Sequence, residues 1–340
     1  MITFFDYLKL IAEEAVAQAP NPAGANPAMG NPNMGNPAMG NPNMANPAMG
    51  AQANKPWMGA NATKKVGDMN QQGQNDLTND PTNILLKQML GMQYPQFVAE
   101  LGKNIRDPKF MKFLQLGMQD GKPEDDKVAF NKIAVPCAQL IPTQNEIDVT
   151  KSLLFPLAKT KTQKLLQYFQ GAPQAPGGPI VTCCGGKYVI DGHHRWSQLY
   201  CINPQCPIEC IDMSNLGSPE LALKIAQIGA AAQGTFKAST TSGENLITIG
   251  EQPLKDYVMK TMGPACDRAY QWLMQQQQQQ QQQNVKQFAA DSIWQNVQQM
   301  QQNNRPISGA PNRGLMPQTG DSAQGFARRL ATGKVNWSPN

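Results

Sequence analysis

Apolar and polar residues change their spacing twice in the middle of the chain, and this change predicts a mixture of strands and helices. Two β-branched and aromatic runs, Pro179–Cys184 and Lys187–Ile190, flank Gly185-Gly186, a strong hairpin signal. Apolar residues then recur at helical spacing from Trp196 to Tyr200, and Pro207–Ile211 has the composition of another strand. The predicted order is strand, hairpin, strand, turn, helix, strand.

Helical spacing also recurs on both sides of this block. We expect helices within 83–117, at Pro219–Ala232 with Ser218 as the capping residue, and at Pro253–Met274 with an interruption at Gly263-Pro264. These segments add helices around the central α/β unit.

A glutamine run precedes the last apolar stripe. Nine glutamines, Gln275–Gln283, lead into Val285–Met300, where apolar residues recur at helical spacing. Because glutamine is a fair helix former, we expect one continuous helix from Tyr270 to Gln302. Its stripe is expected to dock on the chain's own core, with a self-association seam as the alternative.

The N-terminal part has a different composition. The segment 1–18 places apolar residues on one helical face, which predicts an amphipathic docking helix. Five copies of a pentapeptide Asn-Pro-Ala/Asn-Met-Gly/Ala follow, and a proline in every repeat forbids a regular helix or central strand. The predicted domains are a docking helix (1–18), a disordered linker (19–82), a helical segment (83–130), the α/β domain (131–213), a helical region with the glutamine run (214–304) and a basic flexible tail (305–340).

Charge and cysteine content limit the classes of function. The tail from 305 to 340 has five basic residues and one aspartate, a net charge of +4 against +5 for the whole chain. We therefore expect weak nucleic-acid contact through the tail rather than a dedicated DNA-binding face. Seven cysteines, an odd number, without a signal peptide favour reduced thiols in the cytoplasm, and no segment is apolar enough to predict a membrane span. A zinc site that combines Cys183 or Cys184 with His193 or His194 is a further alternative.

The best candidate for chemistry is Asp191-Gly192-His193-His194-Arg195, which holds both histidines of the chain at the junction of a predicted strand and helix. Glycine lets the backbone approach a ligand, and a helix start presents unpaired N–H groups to an anion. We expect Gly192, His193 and His194 to offer N–H groups and Arg195 to bind phosphate oxygens through its planar fork. Asp191 is expected either in this site or as the N-cap of the helix.

The order of motifs from Lys132 to Met213 resembles the ParB/sulfiredoxin fold. The resemblance is carried by the strand Ile133–Pro136, the phrase Gln139–Gln144, a helix after Asp148, and Gly186–Arg195. It implies an α/β (α+β) domain with a small mixed sheet and packed helices. Members of this fold bind nucleotides or phosphate at the equivalent turn and include partition CTPases, sulfiredoxins, free-serine kinases and ParB-like nucleases.

Departures from the family narrow the activity that the resemblance implies. His193 stands where sulfiredoxins have their catalytic cysteine, and no helix-turn-helix signature follows Met213. The serine kinases are similar in Asp-Gly-His and use an acidic residue after the first strand, where this chain has Glu146 and Asp148. We therefore expect Glu146, His193 and His194 as catalytic candidates, with magnesium and a nucleotide as cofactors.

The first residues carry a second resemblance. Met1–Leu8 and Ile11-Ala12-Glu13 look like the capsid-targeting peptides of proteins packaged inside tailed bacteriophages. This implies a phage capsid or scaffold partner for 1–18 and a location in the host cytoplasm or virion. Three hypotheses follow: a nucleotide- or phosphate-binding protein with phosphotransferase or nucleotidase activity, a virion-associated protein with an inactive ParB-like domain, and a ParB-like DNA nuclease.

Overall fold

The computed structural model describes residues 80–117, 124–234, 243–277, 284–317 and 323–338. All of them belong to the unit 65–340. The predicted docking helix at 1–18 and residues 19–79 of the predicted linker lie outside the described residues. Residues 81 and 82, the end of the predicted linker at 19–82, instead begin the helix Pro81–Leu90.

A five-stranded mixed sheet forms the centre of the described chain. The strands are β1 Phe130–Pro136, β2 Ile141–Pro142, β3 Ile180–Cys183, β4 Tyr188–Asp191 and β5 Pro207–Met213. Their order in the sheet is β1-β5-β3-β4-β2, with antiparallel pairs β1–β5 and β3–β4 and parallel pairs β3–β5 and β2–β4. The prediction of a mixed α/β fold is confirmed.

The predicted hairpin at Gly185-Gly186 joins β3 to β4. Both glycines have positive φ angles, 71° and 76°, which glycine adopts at little cost. A side chain at Gly186 would place its Cβ 2.5 Å from Ile133, so the turn also needs a small residue. The buried carboxylate of Asp212 accepts the N–H groups of both glycines and the hydroxyl of Thr182. Asp212 therefore fixes the turn to the neighbouring strand.

Eleven α-helices surround the sheet in the described ranges. Proline stands at the first helical position of several of them, where its missing N–H has no helical partner. Ser218 accepts the N–H of Leu221, as its capping position predicts. The helices are α1 Pro81–Leu90, α2 Tyr94–Asn104, α3 Pro108–Leu114, α4 Val149–Leu154, α5 Thr162–Phe169, α6 His193–Ile202, α7 Pro219–Ala232, α8 Glu251–Thr261, α9 Pro264–Gln276, α10 Val285–Asn303 and α11 Ala323–Ala331.

The two faces of the sheet contact different helices. Alternate residues such as Val181, Cys183 and Ile211 join a buried apolar cluster that includes α1, α2, α3, α7 and α11. The residues between them point to the opposite face, as the period of a strand requires. Helix α6 contacts β3 from there and packs against α4 and α10. The sheet is thus covered on both sides, which explains why all of β3 is buried.

The prediction of one continuous helix from Tyr270 to Gln302 is wrong. Helix α9 ends at Gln276, and α10 begins after Asn284, which has an extended backbone and caps the N–H of Lys286. The rings of Tyr270 and Phe288 stack edge to face at 6.2 Å, a distance that one straight helix would not allow across that sequence separation. Capping by asparagine and packing of the two helices therefore outweigh the helix propensity of glutamine.

The apolar stripe of α10 docks on the chain's own core. Phe288, Ile293, Val297 and Met300 are buried. Just after the helix, the amide of Asn304 donates to the carbonyls of Ala138 and Leu140 and accepts the hydroxyl of Tyr200. The expected docking is confirmed, and the stripe is not exposed for self-association.

The prediction of a flexible tail from residue 305 is wrong for its described part. Residues 323–331 form α11, whose Phe326 and Leu330 are buried against α7. Pro306, Pro311 and Pro317 all precede α11, whereas Gly325 lies within it. Apolar residues at every third or fourth position give α11 one apolar face, and this face packs against α7.

Residues from opposite ends of the described chain are joined by hydrogen bonds. The N–H of Asn336 donates to the carbonyl of Leu114 at 2.9 Å, and the N–H of Val128 donates to Leu330. The carboxylate of Asp126 accepts the N–H groups of Trp337 and Ser338. The last described residues therefore complete the packing of the first helices.

Candidate functional site

Helix α6 begins where β4 ends, and Gly192 makes the junction. Its φ of 95° and ψ of 25° lie in the left-handed region, which glycine tolerates. A Cβ there would lie 2.6 Å from Ile180 and 2.9 Å from the guanidinium of Arg195. Asp191 is not the N-cap, because that position belongs to Gly192 and no side chain caps the helix. The N-cap prediction for Asp191 is therefore wrong, and its carboxylate has another role.

Arg195 is held by three internal acceptors. Its Nη2 donates to Oδ2 of Asp191 at 2.8 Å, and its Nη1 donates to the carbonyls of Pro179 at 2.7 Å and Gly178 at 3.3 Å. The planar fork thus ties α6 to the segment before β3. A phosphate group would have to share or replace these partners. The main role of Arg195 is therefore to position the start of α6 rather than to bind a ligand.

His193 is buried within the protein. Its Nε2 accepts the N–H of Thr143 at 3.1 Å, while the hydroxyl of Thr143 donates to the carbonyl of Val189. Burial lowers the pKa of His193 from 6.5 to about 3, helped by the neighbouring His194 and Arg195 and opposed by a hydrogen bond to Val189. The imidazole is neutral at pH 7 and connects α6 to the segment after β2.

His194 points toward a different set of partners. Its Nε2 accepts the N–H of Asp148 at 3.2 Å and lies 3.0 Å from Nη1 of Arg313. Burial lowers its pKa from 6.5 to about 4, and the charges of Arg313 and Lys151 lower it further while Asp148 opposes them. This imidazole is also neutral at pH 7, and its Nε2 serves as an acceptor.

The two acidic candidates have structural partners as well. Oε2 of Glu146 accepts the backbone N–H of Arg313 at 3.0 Å. Asp148 caps α4 by accepting the N–H of Lys151 at 2.8 Å. Glu146 is connected to His194 through Arg313, but it lines a neighbouring cavity with Asn145 and Asn312 rather than the cavity at the start of α6.

A cavity of about 210 Å³ lies at the start of α6. It is lined by the run from Ile190 to Arg195 together with Gln144, Arg313, Met316 and Pro317. The backbone N–H of Arg195 donates to the carbonyl of Gly192 at 2.9 Å, but an α-helix provides no acceptor for those of His193 and His194. Such a position is favourable for an anion. The predicted residues Asp191, Gly192, His193, His194 and Arg195 therefore do meet at one cavity, while Glu146 stands beside it.

Arg313 is the residue that the sequence did not reveal. It brings a second guanidinium to the cavity, 119 residues after His194 in the chain. Burial lowers the pKa of Arg313 below its usual value, and Asp148 and Glu146 oppose this effect. The arginine was counted among the charges of a flexible tail, and no local motif distinguishes it from the other four basic residues there.

Metal-ligating side chains are not clustered in the described ranges. No group of three histidine, cysteine, aspartate or glutamate residues there is close enough to hold a metal ion. Cys183 and Cys184 do approach each other, with their Sγ atoms 3.4 Å apart, but neither histidine has a described contact with them. Nor does any helix of these ranges have the length and apolar character needed to cross a bilayer.

Comparison with known proteins adds no relative. No family model, no curated protein and no solved structure significantly matches this chain. The ParB/sulfiredoxin fold is therefore an expectation from the motifs between Lys132 and Met213 alone.

Proposed function

We propose that the chain binds a phosphate-bearing ligand, such as a nucleotide, in the cavity at the start of α6. The observation that carries this proposal is the presence of Arg313 in the same cavity as the first N–H groups of α6. Backbone N–H groups and a guanidinium are the donors that phosphate oxygens prefer. Both histidines are uncharged at pH 7, so neither contributes a charge to the binding of an anion there.

We propose binding without turnover as the function that the side chains support best. A general acid or base is most effective when its pKa lies near the working pH, whereas the pKa values of His193 and His194 are about 3 and 4. Their Nε2 atoms already accept backbone N–H groups. Glu146 and Asp148, the carboxylates expected for magnesium, accept backbone N–H groups too. A magnesium ion carried by the ligand's phosphates is compatible with this proposal.

Isothermal titration with a panel of nucleotides and inorganic phosphate, with and without magnesium, tests the proposal. We expect Arg313→Ala to weaken binding of the preferred ligand at least 10-fold, because a charge-assisted bond to phosphate is worth about 1.5–3 kcal/mol. Arg313 is preferable to Arg195 as the test residue, since loss of Arg195 would also release Asp191 and two carbonyls.

Arg328→Ala is the matched control, because Arg328 is exposed on α11 away from the cavity. It removes the same charge and should leave the affinity unchanged. Thermal unfolding of both variants verifies that the fold is retained. Absence of heat with every ligand, or equal losses in the two variants, would refute phosphate binding at this cavity.

A second candidate function is that of a virion-associated protein with an inactive domain of ParB/sulfiredoxin type. It is favoured by the internal hydrogen bonds that occupy both histidines and Arg195. The partner would be a phage capsid or scaffold protein that binds residues 1–18, which lie outside the described part of the chain. Mass spectrometry of purified particles should then detect the protein, shortened near Glu13 or Glu14. Its absence from particles would exclude this role.

A further inference from the structure

Positive charge is concentrated in one stretch of the chain. Between Asp148 and Asp191 the sequence contains five lysines and neither aspartate nor glutamate. The net charge of this stretch is thus +5, the same as the net charge of the whole chain. The low average charge therefore hides a strongly basic segment outside the C-terminal tail.

Three of these lysines line one groove. A cavity of about 550 Å³ lies between a π-helical turn, Phe155–Lys159, and helices α5 and α6. Lys159, Lys161 and Lys164 line it, and all three are exposed. Among the described residues no carboxylate lines this groove, and none of the three lysines forms an ion pair. Their charges are available to an anionic partner.

Two aromatic rings stand among the lysines. Phe155 is 55% exposed, the more exposed of the two large hydrophobic side chains that face solvent in the described residues. The neighbouring Pro156 and Leu157 are buried, which anchors the π-helical turn and directs Phe155 outward. Lys159 lies 5.3 Å from the centre of the Phe155 ring, and Lys164 lies 5.9 Å from that of Tyr168. The groove thus places lysines beside two aromatic rings, of which Phe155 is exposed and Tyr168 is buried.

We propose that this groove binds single-stranded nucleic acid. Lysines would neutralise successive phosphates, and Phe155 would stack on an unpaired base, which is the combination of groups used by proteins that bind single strands. A double helix would not expose a base face to Phe155. An acidic peptide would satisfy the lysines but would leave the exposed ring without a stacking partner. The groove and the phosphate cavity share only Arg195 in their linings, and this proposal does not rest on the one above.

Fluorescence anisotropy of the full chain with labelled oligothymidylate, over a range of salt concentrations, tests the proposal. The first variant replaces Lys159, Lys161 and Lys164 with alanine. Each lost phosphate contact reduces the slope of log affinity against log salt by about 0.7 for single strands, so the triple variant should lower that slope by about 2. The control replaces Lys87, Lys109 and Lys112, which are exposed on α1 and α3, with alanine. It removes equal charge and should keep the slope.

Phe155→Ala separates stacking from charge. We expect about a 10-fold loss of affinity with an unchanged salt slope, because stacking on a base strengthens binding but releases no counterions. Polyglutamate serves as the competing acidic polymer. No binding at low salt, equal slopes for the two triple variants, an unaltered affinity of Phe155→Ala, or equally effective competition by polyglutamate would each overturn the assignment to single-stranded nucleic acid.

Discussion

The cavity at the start of α6 and the groove beside the π-helical turn lie on either side of Arg195, which lines both. In the cavity, the polar side chains mostly bind one another: Arg195 holds Asp191, and His194 contacts Arg313. In the groove, the lysines have no carboxylate partner among the described residues, and Phe155 faces solvent. The residues with the clearest sequence motif thus bind mainly to one another and support the structure. Lysines without a motif, in contrast, keep their charges accessible to a partner.

The largest expected effect comes from Gly192→Ala, which tests how tightly the cavity is built. The left-handed backbone costs about 1–2 kcal/mol for a residue with a Cβ, and overpacking against Ile180 and Arg195 costs about 1–3 kcal/mol more. We expect urea unfolding to show a loss of about 3 kcal/mol in the free energy of unfolding. Gly185→Ala is the control, since a Cβ there meets nothing within 4 Å. Equal losses in both variants would contradict a tightly packed junction.

Arg195→Lys should have the next largest effect. An ammonium group cannot reproduce the planar fork that binds Asp191 and the carbonyl of Pro179 together. We expect a loss of about 2 kcal/mol, the worth of a hydrogen bond to a charged group, measured by urea unfolding. Arg305→Lys is the matched change at a more exposed arginine with one described acceptor, Gln301, and should change stability little. A stable Arg195→Lys variant would mean that Arg195 is free for a ligand after all.

Acid should weaken the protein through His193. Its folded-state pKa of about 3 lies below the ordinary 6.5, so the unfolded chain takes up a proton first as the pH falls. The stability from neutral His193 is therefore complete above pH 6.5 and is lost progressively toward pH 3. Between pH 7 and pH 5 the expected loss is about 2 kcal/mol from this residue.

His193→Gln provides the comparison for that pH dependence. A glutamine oxygen can accept the N–H of Thr143 but does not titrate. The unfolding free energy of this variant, measured at several pH values, should fall less steeply than that of the original protein. His194→Gln should flatten the profile less, because His194 is less buried and its pKa is depressed less, to about 4. Identical profiles for all three proteins would argue against a buried neutral His193.

The smallest effect is expected in the groove. Because Lys159, Lys161 and Lys164 are exposed and lack ion pairs in the described structure, each single alanine substitution should change stability by no more than about 0.5 kcal/mol. Thermal unfolding of the three single variants measures this. A large loss at any of them would place that lysine in the internal network and remove the contrast between groove and cavity.

Local patterns were sufficient to predict much of the fold. The hairpin at Gly185-Gly186, the helix that begins after Gly192 and the capping by Ser218 all depend on neighbouring residues. The break before α10 was not predictable from composition, because it depends on packing of Tyr270 against Phe288 as well as on the cap at Asn284. The helix propensity of glutamine favours a continuous helix, but the tertiary contact and the cap place the helix boundary there.

The residues of the candidate site were singled out from the sequence, but the contacts of their side chains were not. The run Asp191–Arg195 lines a cavity as expected. What each side chain does depends on distant partners: Thr143 for His193, Pro179 for Arg195, and Arg313 for His194. A helix-start motif contains no information on these partners. Phe155 was likewise missed, since only the π-helical turn directs it to solvent.

The hydrogen bonds between the two ends of the described chain have a consequence for protein synthesis. A ribosome makes Asp126 long before Trp337, its partner 211 residues later. During translation, the apolar faces of α1, α2 and α3 therefore lack the C-terminal segment that completes their packing. Such distant contacts slow folding and leave hydrophobic surface exposed on the nascent chain. The packing of α1, α2 and α3 is therefore complete only after residues 330–337 have been synthesised.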